Sequence, residues 1–259
     1  MIDSDTHLER IRAQFGRMAD VYARMRQTTD EKSLNALVSI SGADAKARVL
    51  DVACGPGFLT MAFAARCGSA VGCDATEPFL VMARAEAAQR GLDNIEFRSG
   101  NAEALPFEDG TFNLVSCRAA FHHFARPDKV LAQMTRVCAP GGRLLVADML
   151  SSADPAQAEF HNRIDRLVDP THVRALSSAE FDELFGAARL AVRFKTDVPI
   201  DIEVDEWLAH GGPDAATEAQ VRELVEAAVD TDRGGLNIRR KDGVLWFTYP
   251  TMVSVLERA

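Results

Sequence analysis

Apolar positions along this chain follow two rhythms, and each rhythm predicts a different kind of element. Near the N-terminus, six apolar residues are spaced three or four positions apart: Leu8, Ile11, Phe15, Met18, Tyr22 and Met25. This spacing predicts an amphipathic helix over residues 8–25, with its apolar face turned toward the protein interior. A second helical stretch is predicted around residues 30–40.

From residue 48 onward, short apolar runs alternate with helical stretches. Runs of strand length are predicted at seven places: 48–53, 70–74, 94–99, 112–117, 143–150, 190–198 and 244–255. Strands that alternate with helices predict a mostly parallel sheet covered by helices on both faces, which is an α/β fold. A serine at position 177 followed by Glu180 predicts a capping box that opens a helix to about residue 187.

Composition limits the classes of partner. The 259 residues are 47% hydrophobic and 26% charged, which is typical of a globular protein. The net charge of −9 disfavours a nucleic-acid partner, because a phosphate backbone is bound by clustered Lys and Arg. No signal peptide or membrane span is predicted, and five cysteines without a CxxC pair predict reduced thiols in a cytoplasmic protein.

A glycine-rich turn follows the first predicted strand. It reads Asp51-Val52-Ala53-Cys54-Gly55-Pro56-Gly57 and precedes a helix, so its backbone can approach a pyrophosphate or an amino-acid carboxylate closely. Thr60 stands where the dinucleotide-binding fingerprint has its third glycine, which counts against NAD. Asp74 ends the second strand, 19 residues after Gly55, where a carboxylate can accept hydrogen bonds from both ribose hydroxyls.

Four motifs in this order resemble those of one known family. The segments VLDVACGPG, GCD, GNAEALPFEDGTFNLV and HHFARPDKVLAQMTRVCAPGGRLLVADM are similar to class I S-adenosylmethionine-dependent methyltransferases of the ubiquinone/menaquinone-biosynthesis-like group. The resemblance runs from about residue 47 to residue 150. It implies a Rossmann-like sheet of seven strands, with the last strand antiparallel beside the fifth, and S-adenosyl-L-methionine as the cofactor.

The resemblance also implies roles for individual residues. Those implied to surround the methionine part, the ribose and the adenine are Asp51, Ala53, Gly55, Gly57, Asp74, Ala75, Asn101, Ala102 and Arg118. The family usually has an aspartate where Asn101 stands. An asparagine oxygen can still accept a hydrogen bond from the adenine amine, so we expect weakened rather than lost recognition.

The predicted chemistry is an in-line displacement, which mainly requires alignment of the reacting atoms. A base is needed only if the acceptor must lose a proton. His122 and His123 follow the fourth strand and are the candidate catalytic residues, because imidazole titrates near neutrality. The alternative is that they cap the next helix or brace the loop.

Residues in two other regions are candidates for contact with the acceptor. Phe15 and Tyr22 on the first helix could line its pocket, although plain core packing of an amphipathic helix is the favoured explanation for them. His172 and Arg174, in a polar loop after the fifth strand, could meet a polar or anionic acceptor, or the loop could be held by local hydrogen bonds. The histidines and cysteines show no metal-ligand spacing, so no metal site is predicted.

These observations predict a single domain with three parts. Residues 1–45 form an N-terminal helical cap, 46–150 form the cofactor-binding core, and 151–259 form a C-terminal part whose residues 198–240 complete the cap. The predicted function is methyl transfer to a small-molecule acceptor. The resemblance favours carbon or oxygen as the accepting atom, and nitrogen or sulfur remains an open alternative. The alternatives are an RNA or protein methyltransferase, a protein that binds the cofactor without catalysis, and an NAD-dependent oxidoreductase.

Overall fold

The computed structural model of the protein describes residues 3–25 and 29–259. Its helices are α1 (Ser4–Tyr22), α2 (Glu31–Ser41), α3 (Phe58–Ala64), α4 (Glu77–Gln89), α5 (Pro127–Val137), α6 (Pro155–Val168), α7 (Ser178–Ala187), α8 (Val204–Gly211) and α9 (Ala215–Glu226). Its strands are β1 (Arg48–Val52), β2 (Ser69–Asp74), β3 (Ile95–Ser99), β4 (Phe112–Arg118), β5 (Cys138–Met149), β6 (Leu190–Glu203), β7 (Arg239–Lys241) and β8 (Val244–Arg258). A short 3-10 turn spans Phe121–His123.

One sheet organises the molecule. Its strand order is β3-β2-β1-β4-β5-β8-β6, and strands β1 to β5 pair in parallel. Strand β8 pairs antiparallel with β5 and with β6, which confirms the predicted return beside the fifth strand. The chain moves outward from β1 to β3 and then crosses back to β4 on the other side of β1. The carboxyl ends of β1 and β4 therefore flank a crevice where the strand order reverses.

The prediction of seven strands was wrong by one, because the sheet has eight. The additional strand is β7, which pairs antiparallel with the start of β8 in a tight hairpin. Its three residues are Arg239, Arg240 and Lys241, and they carry no alternation of apolar and polar positions. The neighbouring strand, and not a local apolar pattern, is what stabilises this segment as a strand.

Side chains in the turns define where several helices begin. The carboxylates of Asp3, Asp30, Asp154 and Asp214 each accept a hydrogen bond from a backbone N–H in the first turn of the helix that follows. The predicted capping box is confirmed, because Ser177 and Glu180 exchange hydrogen bonds at the start of α7. Such caps satisfy N–H groups that the helix itself leaves without partners.

Hydrophobic cores cover both faces of the sheet. On one face, α5 and α7 pack against it through Leu131, Met134 and Phe181. On the other face, α2 and α3 pack against it through Val38 and Phe63. Helices on both faces of a mostly parallel sheet confirm the Rossmann-like α/β prediction.

A separate core joins the C-terminal helices. It connects α6, α8 and α9 with the ends of β6 and β8, and Trp207 and Phe247 pack edge-to-face within it at 5.1 Å between ring centroids. Residues 1–2 and 26–28 of the predicted N-terminal cap lie outside the described residues. Among residues 3–25 and 29–259, no helix is long and apolar enough to cross a membrane.

Candidate active site

A cleft opens at the carboxyl ends of β1, β2 and β4, and helix α1 forms its opposite wall. The cleft contains about 1220 Å³ of space when the solvent at its open mouth is included. Strand ends contribute polar side chains such as Asp51, Asp74 and Arg118. Helix α1 contributes mostly apolar ones, including Ile11 and Phe15. The cleft therefore has a polar floor and an apolar roof.

Most of the residues predicted from the sequence line this cleft. They are Asp51, Ala53, Gly55, Asp74, Ala75, Asn101, Ala102, Arg118, Phe15, Tyr22 and His123. Four others lie outside the described lining: Gly57, His122, His172 and Arg174. The structure thus brings the predicted cofactor residues together with one histidine and the aromatic face of α1.

Asp51 is a buried carboxylate on the floor of the cleft. Its oxygens accept hydrogen bonds from the Ser116 hydroxyl at 2.7 Å and the Thr60 hydroxyl at 2.8 Å. Burial raises the pKa of Asp51 to about 6, and these hydroxyls and the charge of Arg118 offset only part of that effect. A buried carboxylate held mainly by neutral donors favours a cation, and the ammonium of an amino-acid ligand is such a group.

Thr60 has a role that the motif comparison alone did not reveal. It occupies the place of the third glycine in a dinucleotide fingerprint and is fully buried. Its hydroxyl is the donor that holds one oxygen of Asp51. A glycine there would leave this carboxylate oxygen without that partner.

Asp74 ties two loops together at the end of β2. One carboxylate oxygen accepts the backbone N–H of Gly55 and the other accepts that of Thr76, both at 2.8 Å. Burial raises the pKa of Asp74, and these hydrogen bonds act against that shift. Each carboxylate oxygen retains acceptor capacity for a further donor such as a ribose hydroxyl.

The two glycines of the turn differ in their surroundings. Both have positive φ values, +53° for Gly55 and +79° for Gly57. A Cβ atom on Gly55 would meet nothing within 4 Å and would project into open space at the cleft, whereas one on Gly57 would lie 2.6 Å from the ring of Phe97. Gly55 thus leaves room for a ligand, and Gly57 allows close packing of α3 against β3.

Two alanines at the rim adopt left-handed backbone conformations. Ala53 follows β1 with φ of 53°, and Ala119 follows β4 with φ of 51°. For a residue other than glycine this conformation costs about 1–2 kcal/mol. Such strain is common where a loop is shaped for a ligand, and both residues line the cleft.

The predicted adenine edge is formed by the loop after β3. Asn101 accepts the backbone N–H of Glu103 through its side-chain oxygen at 2.9 Å, which closes a local turn. That oxygen keeps one lone pair for another donor. Glu103 also accepts a hydrogen bond from the Ser4 hydroxyl at 3.2 Å, and this contact brings the start of α1 against the loop.

His122 is held by a buried carboxylate. Its Nδ1 lies 2.7 Å from an oxygen of Asp148, and the other oxygen of Asp148 accepts the backbone N–H groups of Ala120 and Phe121. Burial alone would lower the pKa of His122, but the charge and hydrogen bond of Asp148 outweigh burial and raise it. This arrangement braces the turn after β4.

Of the two adjacent histidines, His123 is the one that lines the cleft. Its Nδ1 contacts the carbonyl oxygen of Thr171 at 3.1 Å, and its ring packs edge-to-face with Phe15 at 5.1 Å between centroids. Burial and the neighbouring His122 lower the pKa of His123, so the ring is neutral at pH 7. A neutral imidazole can accept a proton.

The polar loop after α6 contacts the histidine turn rather than the cleft. His172 Nε2 lies 2.8 Å from the Asn162 side-chain oxygen, and burial lowers the pKa of His172 to about 3. The exposed Arg174 forms an ion pair with Glu180. The backbone N–H groups of Val173 and Arg174 donate to the carbonyl of His122. These contacts hold the loop against the turn after β4.

Other cleft residues were missed by the sequence analysis. His7 lines the cleft and lies four residues before Ile11 and eight before Phe15, so the helical spacing could have identified it. Phe79 and Phe124 also line the cleft. Neither residue is on α1, so the apolar spacing of that helix could not identify them. They become part of the cleft only because α1 packs onto the strand ends.

Comparison with known proteins shows similarity to methyltransferases. A family model described as a methyltransferase domain matches residues 43–187. The uncharacterized methyltransferase YcgJ of Bacillus subtilis is 33% identical over 219 residues, which cover 85% of this chain and 87% of that protein. The demethylmenaquinone methyltransferase of Thermus thermophilus is 43% identical over 103 residues, but these cover only 39% of this chain and 46% of that protein.

Solved structures agree with the sequence matches. The crystal structure of Bacillus subtilis YcgJ superposes with a TM-score of 0.80 at 32% identity, covering 88% of this chain and 98% of that one. The structure of a candidate methyltransferase from Bacillus halodurans superposes with a TM-score of 0.82 at 26% identity, covering 88% and 99% of the two chains.

Proposed function

Because the chain belongs to the methyltransferase family and is an S-adenosylmethionine-dependent enzyme, we propose that it methylates a carbon or oxygen atom of a small-molecule acceptor. The observation that carries this proposal is the composition of the cleft. A polar floor at three strand ends and an apolar, aromatic roof on α1 share one space. That space suits a polar cofactor beside an apolar acceptor.

The floor fits the cofactor at three places. Because Gly55 has no side chain, the space beside its backbone is open, and a ligand can approach the backbone there. Asp51 would orient the ammonium of the methionine part, with Arg118 beside its carboxylate end. Asp74 would accept hydrogen bonds from the ribose hydroxyls, while Asn101 and Ala102 would contact the adenine edge. When bound, S-adenosylmethionine supplies an electrophilic methyl group on a positively charged sulfur.

The roof supports an apolar acceptor. Phe15, Tyr22 and Phe79 form a cluster of rings with centroids 5.0 to 6.0 Å apart, and His123 packs against Phe15. Arg118 is the one Lys or Arg side chain among the described lining residues, and it lies at the floor. A neutral molecule of small size therefore matches this end better than a phosphate backbone does. The partial likeness to the demethylmenaquinone methyltransferase supports the same acceptor class.

The chain's own contribution to the reaction is alignment and exclusion of water. Rings from α1 and α4 cover the acceptor end, and the strand-end carboxylates hold the cofactor end. Binding both molecules in one oriented arrangement supplies much of the rate enhancement of a displacement reaction. Residues 198–240 complete this cover in our proposal, because α8 touches α1 through the hydrogen bond from Gln14 to the carbonyl of Gly211.

The first experiment measures cofactor binding. We expect S-adenosylhomocysteine, the demethylated product, to bind with measurable heat and to raise the melting temperature. At a hundredfold excess over the dissociation constant, the gain in stability is about 2.7 kcal/mol. NAD at the same concentration should give no shift. A shift with NAD and none with S-adenosylhomocysteine would contradict the cofactor assignment.

The second experiment identifies the acceptor class. Labelled S-adenosylmethionine is incubated with a panel of phenols, hydroquinones and 1,3-dicarbonyl compounds, and in parallel with total RNA and with denatured protein. Transfer of the label to a panel compound at carbon or oxygen is the expected result. Label that enters only RNA or protein would refute the small-molecule proposal while leaving the cofactor assignment intact.

A further inference from the structure

The polar contacts of His123 determine which ring nitrogen carries its proton. We infer that His123 presents an unprotonated Nε2 to the cleft as the acceptor of a proton from the substrate's hydroxyl, and that Thr171 and Asp169 are the positioning residues that maintain this form. The inference rests on the proposed function, because it assigns a role within the same cleft.

Both neighbours of Nδ1 are hydrogen-bond acceptors. The carbonyl oxygen of Thr171 lies 3.1 Å from Nδ1 and can only accept. The hydroxyl oxygen of Thr171 lies 3.2 Å from the same nitrogen, but its hydrogen is donated to Asp169 at 2.6 Å. Toward His123 this oxygen therefore presents a lone pair. The neutral ring must carry its hydrogen on Nδ1, which leaves the lone pair on Nε2.

Asp169 keeps the Thr171 hydroxyl in this orientation. One of its carboxylate oxygens accepts both the backbone N–H of Thr171 at 2.8 Å and the hydroxyl. Burial alone would raise the pKa of Asp169, but nearby His123 and the bonds from Thr171 lower it, so the carboxylate is ionised at pH 7. An ionised carboxylate can only accept, so it fixes the direction of the hydroxyl.

The ring is also held from the side of α1. The His7 ring donates through Nε2 to the carbonyl oxygen of His123 at 2.8 Å. Phe15 packs edge-on against the His123 ring. Two separate segments, the loop at Thr171 and helix α1, thus hold His123 in place. His123 has no hydrogen-bond partner at Nε2 within the described part of the chain, and it is the member of the histidine pair that lines the cleft.

His122 and His172 do not compete for this role. His122 Nδ1 lies against Asp148, and His172 Nε2 lies against the Asn162 oxygen, both outside the described cleft lining. The ring centroid of His122 lies 4.1 Å from that of His123, and the ring centroid of His172 lies 6.4 Å from it. The described residues contain no group of three or more His, Cys, Asp or Glu side chains that could hold a metal ion.

The proposed step moves one proton to His123 and one methyl group to the acceptor. The lone pair of His123 Nε2 takes the proton of the acceptor's O–H group, and the electrons of that bond stay on the acceptor. The acceptor's oxygen, or a carbon conjugated with it, forms the bond to the methyl carbon. The methyl carbon–sulfur bond breaks and its electron pair goes to sulfur. The imidazolium, favoured by the nearby charge of Asp169, afterwards returns its proton to solvent.

The tautomer can be observed directly. Protein labelled with ¹⁵N is saturated with S-adenosylhomocysteine, and long-range ¹H–¹⁵N spectra of the histidine rings are recorded at pH 7. The His123 signals are assigned by their loss in His123→Gln. We expect a hydrogen on Nδ1 and none on Nε2. An Nε2–H tautomer, or a ring that is doubly protonated at pH 7, would overturn the inference.

Variants of Asp169 test the positioning role. In Asp169→Ala the Thr171 hydroxyl is free to donate to Nδ1, so the population should shift toward the Nε2–H tautomer. Asp169→Asn is the conservative control, because its amide oxygen can accept the same two bonds and should restore the Nδ1–H tautomer. An unchanged tautomer in Asp169→Ala would remove Asp169 from the positioning set.

A pair of probes tests what Nε2 faces. 1-Naphthol and 1-methoxynaphthalene have the same ring system, but only the first has a hydroxyl to donate. When the protein is saturated with S-adenosylhomocysteine, 1-naphthol should bind roughly 2- to 12-fold more tightly than 1-methoxynaphthalene, as one net hydrogen bond predicts. His123→Phe should abolish the preference. Equal affinities in the wild type would refute this inference alone, whereas failure of S-adenosylhomocysteine to bind would refute the proposed function.

Discussion

Replacement of Gly55 by alanine should separate ligand binding from folding. Gly55 has φ of +53° and open space where a Cβ would lie. A left-handed alanine costs about 1–2 kcal/mol, so the melting temperature should fall by roughly 2–8 °C for a domain of this size. The added methyl group also intrudes on the proposed cofactor position. A crowding cost of about 1–3 kcal/mol corresponds to roughly 5- to 150-fold weaker binding.

The chain offers a matched control for this substitution. Gly91, just after α4, has φ of +66° and likewise nothing within 4 Å of an added Cβ, but it lies outside the described cleft lining. Gly91→Ala should therefore show the same loss of stability with unchanged binding. Gly57→Ala should lose more stability than either, because its Cβ would lie 2.6 Å from the Phe97 ring.

Thermal melts and calorimetric titration with S-adenosylhomocysteine measure both quantities for each variant. Wild-type affinity in a folded Gly55→Ala protein would refute the proposed place of the cofactor at this turn. Equal losses of affinity in the Gly55 and Gly91 variants would also refute it, because the loss would then come from backbone strain and not from contact with the ligand.

Three further predictions concern single side chains. Because burial raises the pKa of Asp51 to about 6 and a bound ammonium favours its ionised form, S-adenosylhomocysteine affinity should be full above about pH 6 and fall about tenfold per pH unit below it. Calorimetry should show no such dependence in Asp51→Asn, and a flat profile in the wild type would contradict the assignment. Asp74→Ala should lose about 1–3 kcal/mol of unfolding free energy for each of the Gly55 and Thr76 N–H groups left unpaired. Asp74→Asn should lose less, and equal urea-unfolding curves for the two variants would contradict this reasoning. Ser177→Ala removes a cap from α7 and should cost about 1 kcal/mol in urea unfolding, with an unchanged midpoint contradicting it.

Local features determined the parts of the fold that the sequence predicted well. The alternation of strands and helices follows from apolar periodicity, and the capping box at Ser177 predicted the observed start of α7. The glycine-rich turn was also found directly, because a positive φ next to a ligand restricts the residue type at that position. These signals lie within a few residues of one another and need no knowledge of the rest of the chain.

Tertiary structure alone decided which predicted site residues share the cleft. His123 and Thr171 are 48 positions apart, and His7 and His123 are 116 positions apart, so no local pattern links them. The same holds for Gly57, whose need for glycine comes from the ring of Phe97 on β3. A turn motif determines the conformation of its own backbone, but contacts between distant segments form only when the whole sheet packs. That packing also determines which of two adjacent histidines lines the cleft.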